Sequence, residues 1–228
     1  MAAQTPIERS LVEQLVRDIL ARRLSGNGSG WAASTPLRVH ASARHMHLCR
    51  EDLDRLFGTG YELTTWRELY QPRNYAAKET VTLIGPRSRL ISNLRILLPL
   101  RASSQVELAF TDTIALGLDN VPIRISGNVD GTPGAVLMGP AGVVDLKQGV
   151  IRAAIHVHMG PEDAARYGVK HGDEMQLRVG GDAATTFGRV RVRVDKSSKL
   201  EVHMDTDEAN ACGLHLTKEI ELTKRENR

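Results

Sequence analysis

Two His-x-His triplets, His45-Met46-His47 and His156-Val157-His158, stand out among the eight histidines of this 228-residue chain. On an extended strand, residues two apart point to the same face. Each triplet can therefore aim two imidazoles at one point, as a metal ion requires. The surroundings repeat too. His45-Met-His-Leu-Cys-Arg-Glu-Asp-Leu-Asp-Arg55 aligns without gaps on His156-Val-His-Met-Gly-Pro-Glu-Asp-Ala-Ala-Arg166, with both histidines, the Glu-Asp pair and the arginine coinciding. A fainter third copy, Val202-His203-Met204-Asp-Thr-Asp207-Glu208-Ala209, keeps one histidine, the methionine after it and an acidic pair. Five of the eight histidines thus occupy one place in a repeated strand-to-helix unit. Carboxylates that could complete such a site are Glu107, Asp112, Glu79, Glu51, Asp52, Glu162 and Asp163. The last four stand where acidic side chains meet a helix N-terminus. Glu107 lies mid-strand between apolar neighbours, as either a ligand or an outward-facing strand residue.

No phosphate-binding loop of the Walker A or Gly-x-Gly-x-x-Gly type occurs, and no Gly-x-Ser-x-Gly elbow. An anion would have to be held by arginines, and Arg67, Arg95 and Arg101 lie near the hydrophobic central strands. Composition narrows the partners. Thirty Lys and Arg against 27 Asp and Glu give a net charge of +3, more suited to small anionic ligands than to nucleic acid. Aromatics at 4% argue against a base-stacking surface. With 41% hydrophobic and 25% charged residues, the chain reads as globular, and no apolar run is long enough to span a bilayer. Cys49 and Cys212 are too few for a disulfide framework or a cysteine-rich zinc site, so any metal must rely on histidine and carboxylate.

The elements that must position these residues fall into two regions. Thr5 to Leu24 carries Ile7, Leu11, Val12, Leu15, Val16, Ile19 and Leu20 on one helical face. Thr5 serves as N-cap, Pro6 suits the first helical position, Glu8 completes a capping box and Gly26 follows as a stop. Ser25-Gly-Asn-Gly-Ser-Gly30 then reads as a flexible linker that presents this amphipathic helix outward. After about Leu37 the texture changes to short β-like runs broken by Gly, Pro and Asp. Arg189-Val-Arg-Val-Arg-Val194 alternates strictly, as a half-buried strand does. Val81-Thr-Leu-Ile-Gly-Pro86 and Val136-Leu-Met-Gly-Pro140 read as two versions of one strand-turn unit. Helices are expected only over Glu51 to Phe57, Pro161 to Tyr167 and Asp207 to Cys212. The expected fold class is mainly β, with small barrels capped by short helices.

Several segments together resemble the phosphate propanoyltransferase family, the phosphotransacylases of bacterial metabolosomes. They are Val39-His-Ala-Ser-Ala-Arg-His-Met-His-Leu48, Gly60-Tyr-Glu-Leu-Thr64, Ala76-Ala-Lys-Glu-Thr-Val-Thr-Leu-Ile-Gly-Pro86, Leu98-Pro-Leu-Arg101, Gln105-Val-Glu107 and Ile155-His-Val-His-Met-Gly-Pro-Glu-Asp163. The resemblance covers about Leu37 to Leu214, with departures at Ala43 and Cys49. It implies two small β-barrels, one from 36–46 with 155–222 and one from 47–154, with a two-zinc site between them and an encapsulation peptide over 1–35. It assigns His45, His47, Glu107, His156, His158 and His203 to two Zn2+ per chain and Arg101 to the phosphate. Ser42, Arg67, Arg95 and Asn210 become candidate contacts to coenzyme A.

The implied reaction converts propanoyl-CoA or acetyl-CoA and phosphate to acyl phosphate and CoA, reversibly, with phosphate itself as the nucleophile. The implied location is the lumen of a cytoplasmic microcompartment, reached when residues 1–24 dock on shell proteins or other encapsulated enzymes. A homo-oligomer is implied, and neither nucleic acid nor membrane is expected as a partner. Two rival readings stand beside this one. The first is a dinuclear zinc hydrolase, although the Asp-His continuation of a metallo-lactamase site is missing after His47. The second is a non-catalytic microcompartment component stabilised by zinc, although six ligands shared by two ions leave open positions that a closed structural site does not.

Overall fold

In the computed structural model, which describes residues 37–217 and 219–225, short strands dominate. In chain order they run β1 (Arg38–Ser42), β2 (His45–His47), α1 (Arg50–Phe57), β3 (Thr65–Glu68), β4 (Tyr75–Ile84), β5 (Leu90–Leu98), β6 (Gln105–Glu107), α2 (Phe110–Leu116), β7 (Ile123–Arg124) and β8 (Ala135–Met138). The chain continues through β9 (Val143–Leu146), β10 (Val150–Ala153), β11 (His156–Met159), α3 (Pro161–Tyr167), β12 (Glu174–Val179), β13 (Thr185–Val194), β14 (Glu201–Asp205), α4 (Thr206–Ala211) and β15 (Ile220–Lys224).

Pairing sorts the strands into two curled half-barrel sheets. One has the order β1-β14-β11-β13-β12-β15; the other runs β7-β10-β6-β2-β5-β4-β8-β9, with β3 added on β4. Each sheet has its own core. Met46, Leu83, Leu94, Ile96 and Val106 are fully buried in the larger one, and Val157, Met159, Met175, Leu177 and Val202 in the smaller. Strand alternation links core to chemistry. Met46 on β2, Val157 and Met159 on β11, and Val202 and Met204 on β14 go into the cores, and this turns the intervening histidines to the opposite face. Each such anchor contributes about 1.5–3 kcal/mol of burial, so the aim of the imidazoles is set by the core.

The three strands of the histidine repeat lead directly into a helix: β2 into α1, β11 into α3 and β14 into α4. Pro161 occupies the first turn of α3, and the Asp205 carboxylate caps α4 by accepting from the Glu208 amide at 2.8 Å. The two Gly-Pro turns share a packing role. A Cβ on Gly85 would lie 2.2 Å from the Leu116 carbonyl oxygen, and one on Gly139 would lie 2.4 Å from that of Leu56. Each turn is thus pressed on the C-terminal end of a helix, α2 or α1, where only glycine fits. Helix α2 has no counterpart in the sequence expectation. Its segment Phe-Thr-Asp-Thr-Ile is rich in β-branched residues, and it starts because the Asp112 carboxylate accepts from the Ala109 amide at 3.2 Å. The expected helix over 5–24 and its linker lie outside the described residues. No helix among the described residues is long and apolar enough to cross a membrane.

Candidate active site

Register explains how three ligand-type side chains gather at each of two places. In the larger sheet β2 runs antiparallel to β6 with His45 opposite Glu107 and His47 opposite Gln105. Donor atoms of His45, His47 and Glu107 consequently all lie within 4.8 Å of one another. In the smaller sheet β11 is antiparallel to β14 with His156 opposite His203, and His156, His158 and His203 converge within the same limit. Each group is a His-x-His strand completed by the residue directly across the ladder.

Hydrogen bonds fix the rings. Nδ1 of His45 and Nδ1 of His156 each lie 2.9 Å from the carbonyl oxygen two residues earlier, of Ala43 and Ala154 respectively. Donation there leaves both Nε2 lone pairs facing inward. His203 is turned the other way. Its Nε2 lies 2.8 Å from Glu201 Oε2, which leaves Nδ1, with the Ser42 hydroxyl 3.4 Å away. Glu201 is buried and also accepts from Gln71 Nε2 at 3.0 Å and from Arg38 Nε at 2.9 Å. In the other group, Glu107 Oε1 accepts from Gln105 Nε2 and the Ser126 hydroxyl, both at 2.6 Å, while Oε2 stands 3.5 Å from His45 Nε2. Ser126 in turn accepts from Arg101 at 2.9 Å, so the arginine is indexed to the carboxylate through one hydroxyl.

The donor set suits a cation. The Nε2 atoms of His156 and His158 face each other at 3.2 Å, a contact that needs either a shared proton or a cation between them. Burial, reinforced by His203, pushes His156 down to about 4. Burial and the neighbouring His156 drive His158 well below the usual histidine range. Both are therefore neutral near pH 7, the form that ligates metal. His47 is held down at about 3 by burial and by Arg101. Among the described residues its buried Nδ1 has no partner at hydrogen-bond geometry, and its Nε2 is 3.8 Å from Glu107 Oε1. The protein alone leaves this imidazole unsatisfied. Burial opposes ionisation of both Glu107 and His45, but their mutual attraction wins, lowering Glu107 and raising His45. Glu107 also acts, as the weakest of several influences, against the lowering of His156, which puts the two ligand groups within electrostatic reach of each other.

The remaining sequence candidates fall at different distances from this centre. Arg101 is half-buried beside Glu107, whose charge raises its pKa while burial lowers it. Ser42 touches His203. Arg95 pairs in register with His45 on β5, donates to the carbonyls of Ala77 and Lys78 at 2.9 and 2.7 Å, and lies 4.8 Å over the Trp66 ring. Arg67, exposed on β3, lies 5.2 Å over the same ring. Asn210 is exposed on α4. Glu79 is engaged with the Thr64 amide and the Tyr61 hydroxyl, and Asp112 with Arg44 at 2.6 Å, so neither joins the ligand groups. Cys212 is buried, and Cys49 donates to Asp52 at the start of α1.

Glu201, Gln71, Gln105 and Ser126 escape the sequence reading. Glu201 and Gln105 each stand two residues before a candidate ligand on the same strand face, a signal that was legible. Gln71 and Ser126 come from loops whose approach depends on tertiary folding. His40, on β1 opposite His203, adds a further ring 5.6 Å from it.

Comparison with known proteins adds an independent line. The family model for phosphate propanoyltransferase matches residues 38–215. A phosphate propanoyltransferase of Planctopirus limnophila is 54% identical over 226 residues, covering 96% of this chain and 92% of its own. One from Thermotoga maritima is 51% identical over 178 residues, covering 78% and 84%. One from Rhodopseudomonas palustris is 40% identical over 226 residues, covering 96% and 99%.

Proposed function

Because the chain belongs to the phosphate propanoyltransferase family, and is thus a phosphotransacylase, we propose that it interconverts propanoyl-CoA plus phosphate with propanoyl phosphate plus CoA at a two-zinc centre, and accepts acetyl-CoA. The observation that carries this reading is the pair of three-ligand groups within electrostatic reach of each other and flanked by Arg101. His45, His47 and Glu107 hold one zinc, and His156, His158 and His203 hold the other. Three protein ligands per ion leave a position open at each, the mark of a catalytic rather than a structural site. Zinc bound by these residues would supply Lewis acidity to the thioester carbonyl.

The protein's own groups do the rest. Arg101 presents two parallel N–H donors to the phosphate oxygens, and its tie to Glu107 through Ser126 keeps that fork aimed at the centre. A phosphate oxygen attacks the acyl carbon, the carbon–sulfur bond breaks, and CoA leaves as thiolate. Substrate and nucleophile both carry negative charge, so an arginine that offsets their repulsion acts on the barrier itself. No acyl-enzyme is needed, and both thiols are engaged elsewhere, Cys49 with Asp52 and Cys212 with the Ala209 carbonyl.

Ser42, Arg67, Arg95 and Asn210 line the approach for CoA. The edge strand β3, with two guanidiniums near the exposed Trp66 ring, suits its nucleotide end. The two sheets represent two barrel domains, from 36–46 with 155–222 and from 47–154, although β2 as a whole pairs within the second. The enzyme works as a homo-oligomer in the lumen of a bacterial microcompartment, with residues 1–24 as its docking peptide. The experiment for the chemistry is CoA release from propanoyl-CoA with and without phosphate, alongside a zinc count per chain.

A further inference from the structure

Strand β13 carries three arginines two residues apart, Arg189, Arg191 and Arg193, and therefore on one face. Two of them are neutralised. Arg189 lies 2.9 Å and Arg191 3.3 Å from Glu174 Oε1, and Arg225 reaches the other oxygen of the same carboxylate at 2.5 Å. Arg193 has no hydrogen bond or ion pair with any other side chain among the described residues, although it is half-buried. The parallel ladder with β11 sets Arg191 beside His156 and Arg193 beside His158. Registered neighbours on adjacent strands share a face, so the unpaired guanidinium stands on the side of the three-histidine group.

Arg101 stands beside Glu107 of the other sheet, and among the described residues its only side-chain hydrogen bond is to the neutral Ser126 hydroxyl. The two guanidiniums sense each other. Burial lowers Arg101 most, Glu107 opposes this, and Arg193 lowers it further. A half-buried cation without a carboxylate of its own, near a second whose one carboxylate is shared with histidines, calls for an anion. Glu107 is not that anion for Arg193, since its oxygens are taken up by Gln105, Ser126 and His45.

We propose that Arg193 is a second arginine of the anion site, closing with Arg101 on the reacting phosphate group from the three-histidine side. The assignment rests on the phosphotransacylase reading. The phosphates of CoA share this chemistry, but Arg193 sits beside a ligand strand with no partner side chain among the described residues, whereas Arg67 lies on the exposed edge strand β3 and Arg95, beside His45, is held by the Ala77 and Lys78 carbonyls and the Trp66 ring.

The test uses the full-length, zinc-loaded enzyme with Arg193→Met and Arg193→Lys, and with Arg191→Met as a control on the same strand. Losing one charged hydrogen-bond donor to phosphate should lower kcat/KM for inorganic phosphate by about 10- to 100-fold in Arg193→Met. Arg193→Lys should fall between that variant and wild type, because it keeps the charge and loses the fork. KM for propanoyl-CoA should stay within about twofold, zinc content should not change, and Arg191→Met should keep the wild-type phosphate dependence. Calorimetric titration with inorganic phosphate alone should show the same ranking. If Arg193→Met does not fold, Arg193→Lys decides by the same readings. An unchanged phosphate dependence, or a shift confined to propanoyl-CoA, overturns the role of Arg193 while the phosphotransacylase reading stands. Wild-type turnover that ignores phosphate overturns both.

Discussion

Replacing Glu201 by glutamine should unload one metal centre and spare the other. The Glu201 carboxylate accepts three donors at once: Arg38 Nε at 2.9 Å, Gln71 Nε2 at 3.0 Å and His203 Nε2 at 2.8 Å. A glutamine of the same shape offers one acceptor oxygen and one NH2 group. With its oxygen turned to Arg38, its NH2 meets donors on both Gln71 and His203. The local remedy is for His203 to move its proton from Nε2 to Nδ1, which removes the lone pair that would face the ion. Loss of an orienting carboxylate typically costs 10- to 100-fold in metal affinity, about 1.4–2.8 kcal/mol. A buried donor left unmatched costs the fold about 1–3 kcal/mol more, a fall in Tm of roughly 2–4 °C per kcal/mol for a chain of this size. Competition with a chelator of known affinity, read as zinc bound per chain, should show one weakened site and one of wild-type strength. Two undisturbed sites with an unchanged Tm would refute the tautomer argument.

Arg101→Lys should raise KM for phosphate or lower turnover while altering CoA affinity less, because the lysine point charge cannot reproduce the planar fork; unchanged phosphate kinetics would remove Arg101 from the site. Glu208, half-buried beside Asp205 and Asp207, is pushed up to about 7, chiefly by burial. The folded state therefore binds more protons than the unfolded one between about pH 4.5 and 7, and stability falls as pH rises through that window. Glu208→Gln keeps an acceptor for the Asp205 amide and should be more stable than wild type by about 2 kcal/mol at pH 8, allowing for partial exposure, with no gain near pH 4; equal melting curves at pH 8 would contradict this. Deleting residues 1–30 should leave catalysis and Tm intact and abolish recruitment to a microcompartment, and a truncated enzyme that is destabilised yet packaged would overturn the docking assignment.

Much of the site was legible because the histidines repeat in sequence and strand alternation makes their facing predictable. Met46, Val157 and Val202 follow the same alternation, so core and ligands came from one pattern. Glu107 could not be separated from an outward-facing residue until its register opposite His45 was known, since ladder pairing is a property of two segments and not of one. Helix α2 was missed because its start depends on one carboxylate and its residues favour strands. Arg189 to Arg193 read as a strand from alternation alone; which of the three arginines lacks a partner depends on Glu174, fifteen or more residues away. The loop residues Gln71 and Ser126 carry no local signal at all.

The account stands most directly on zinc content measured together with phosphate-dependent CoA release, in wild type, His47→Ala and His158→Ala. It predicts two zinc ions per wild-type chain and CoA release only when phosphate is present. Each variant should lose one zinc and its activity while keeping its fold. Full activity in a verified metal-free preparation, or equal CoA release without phosphate, would contradict it.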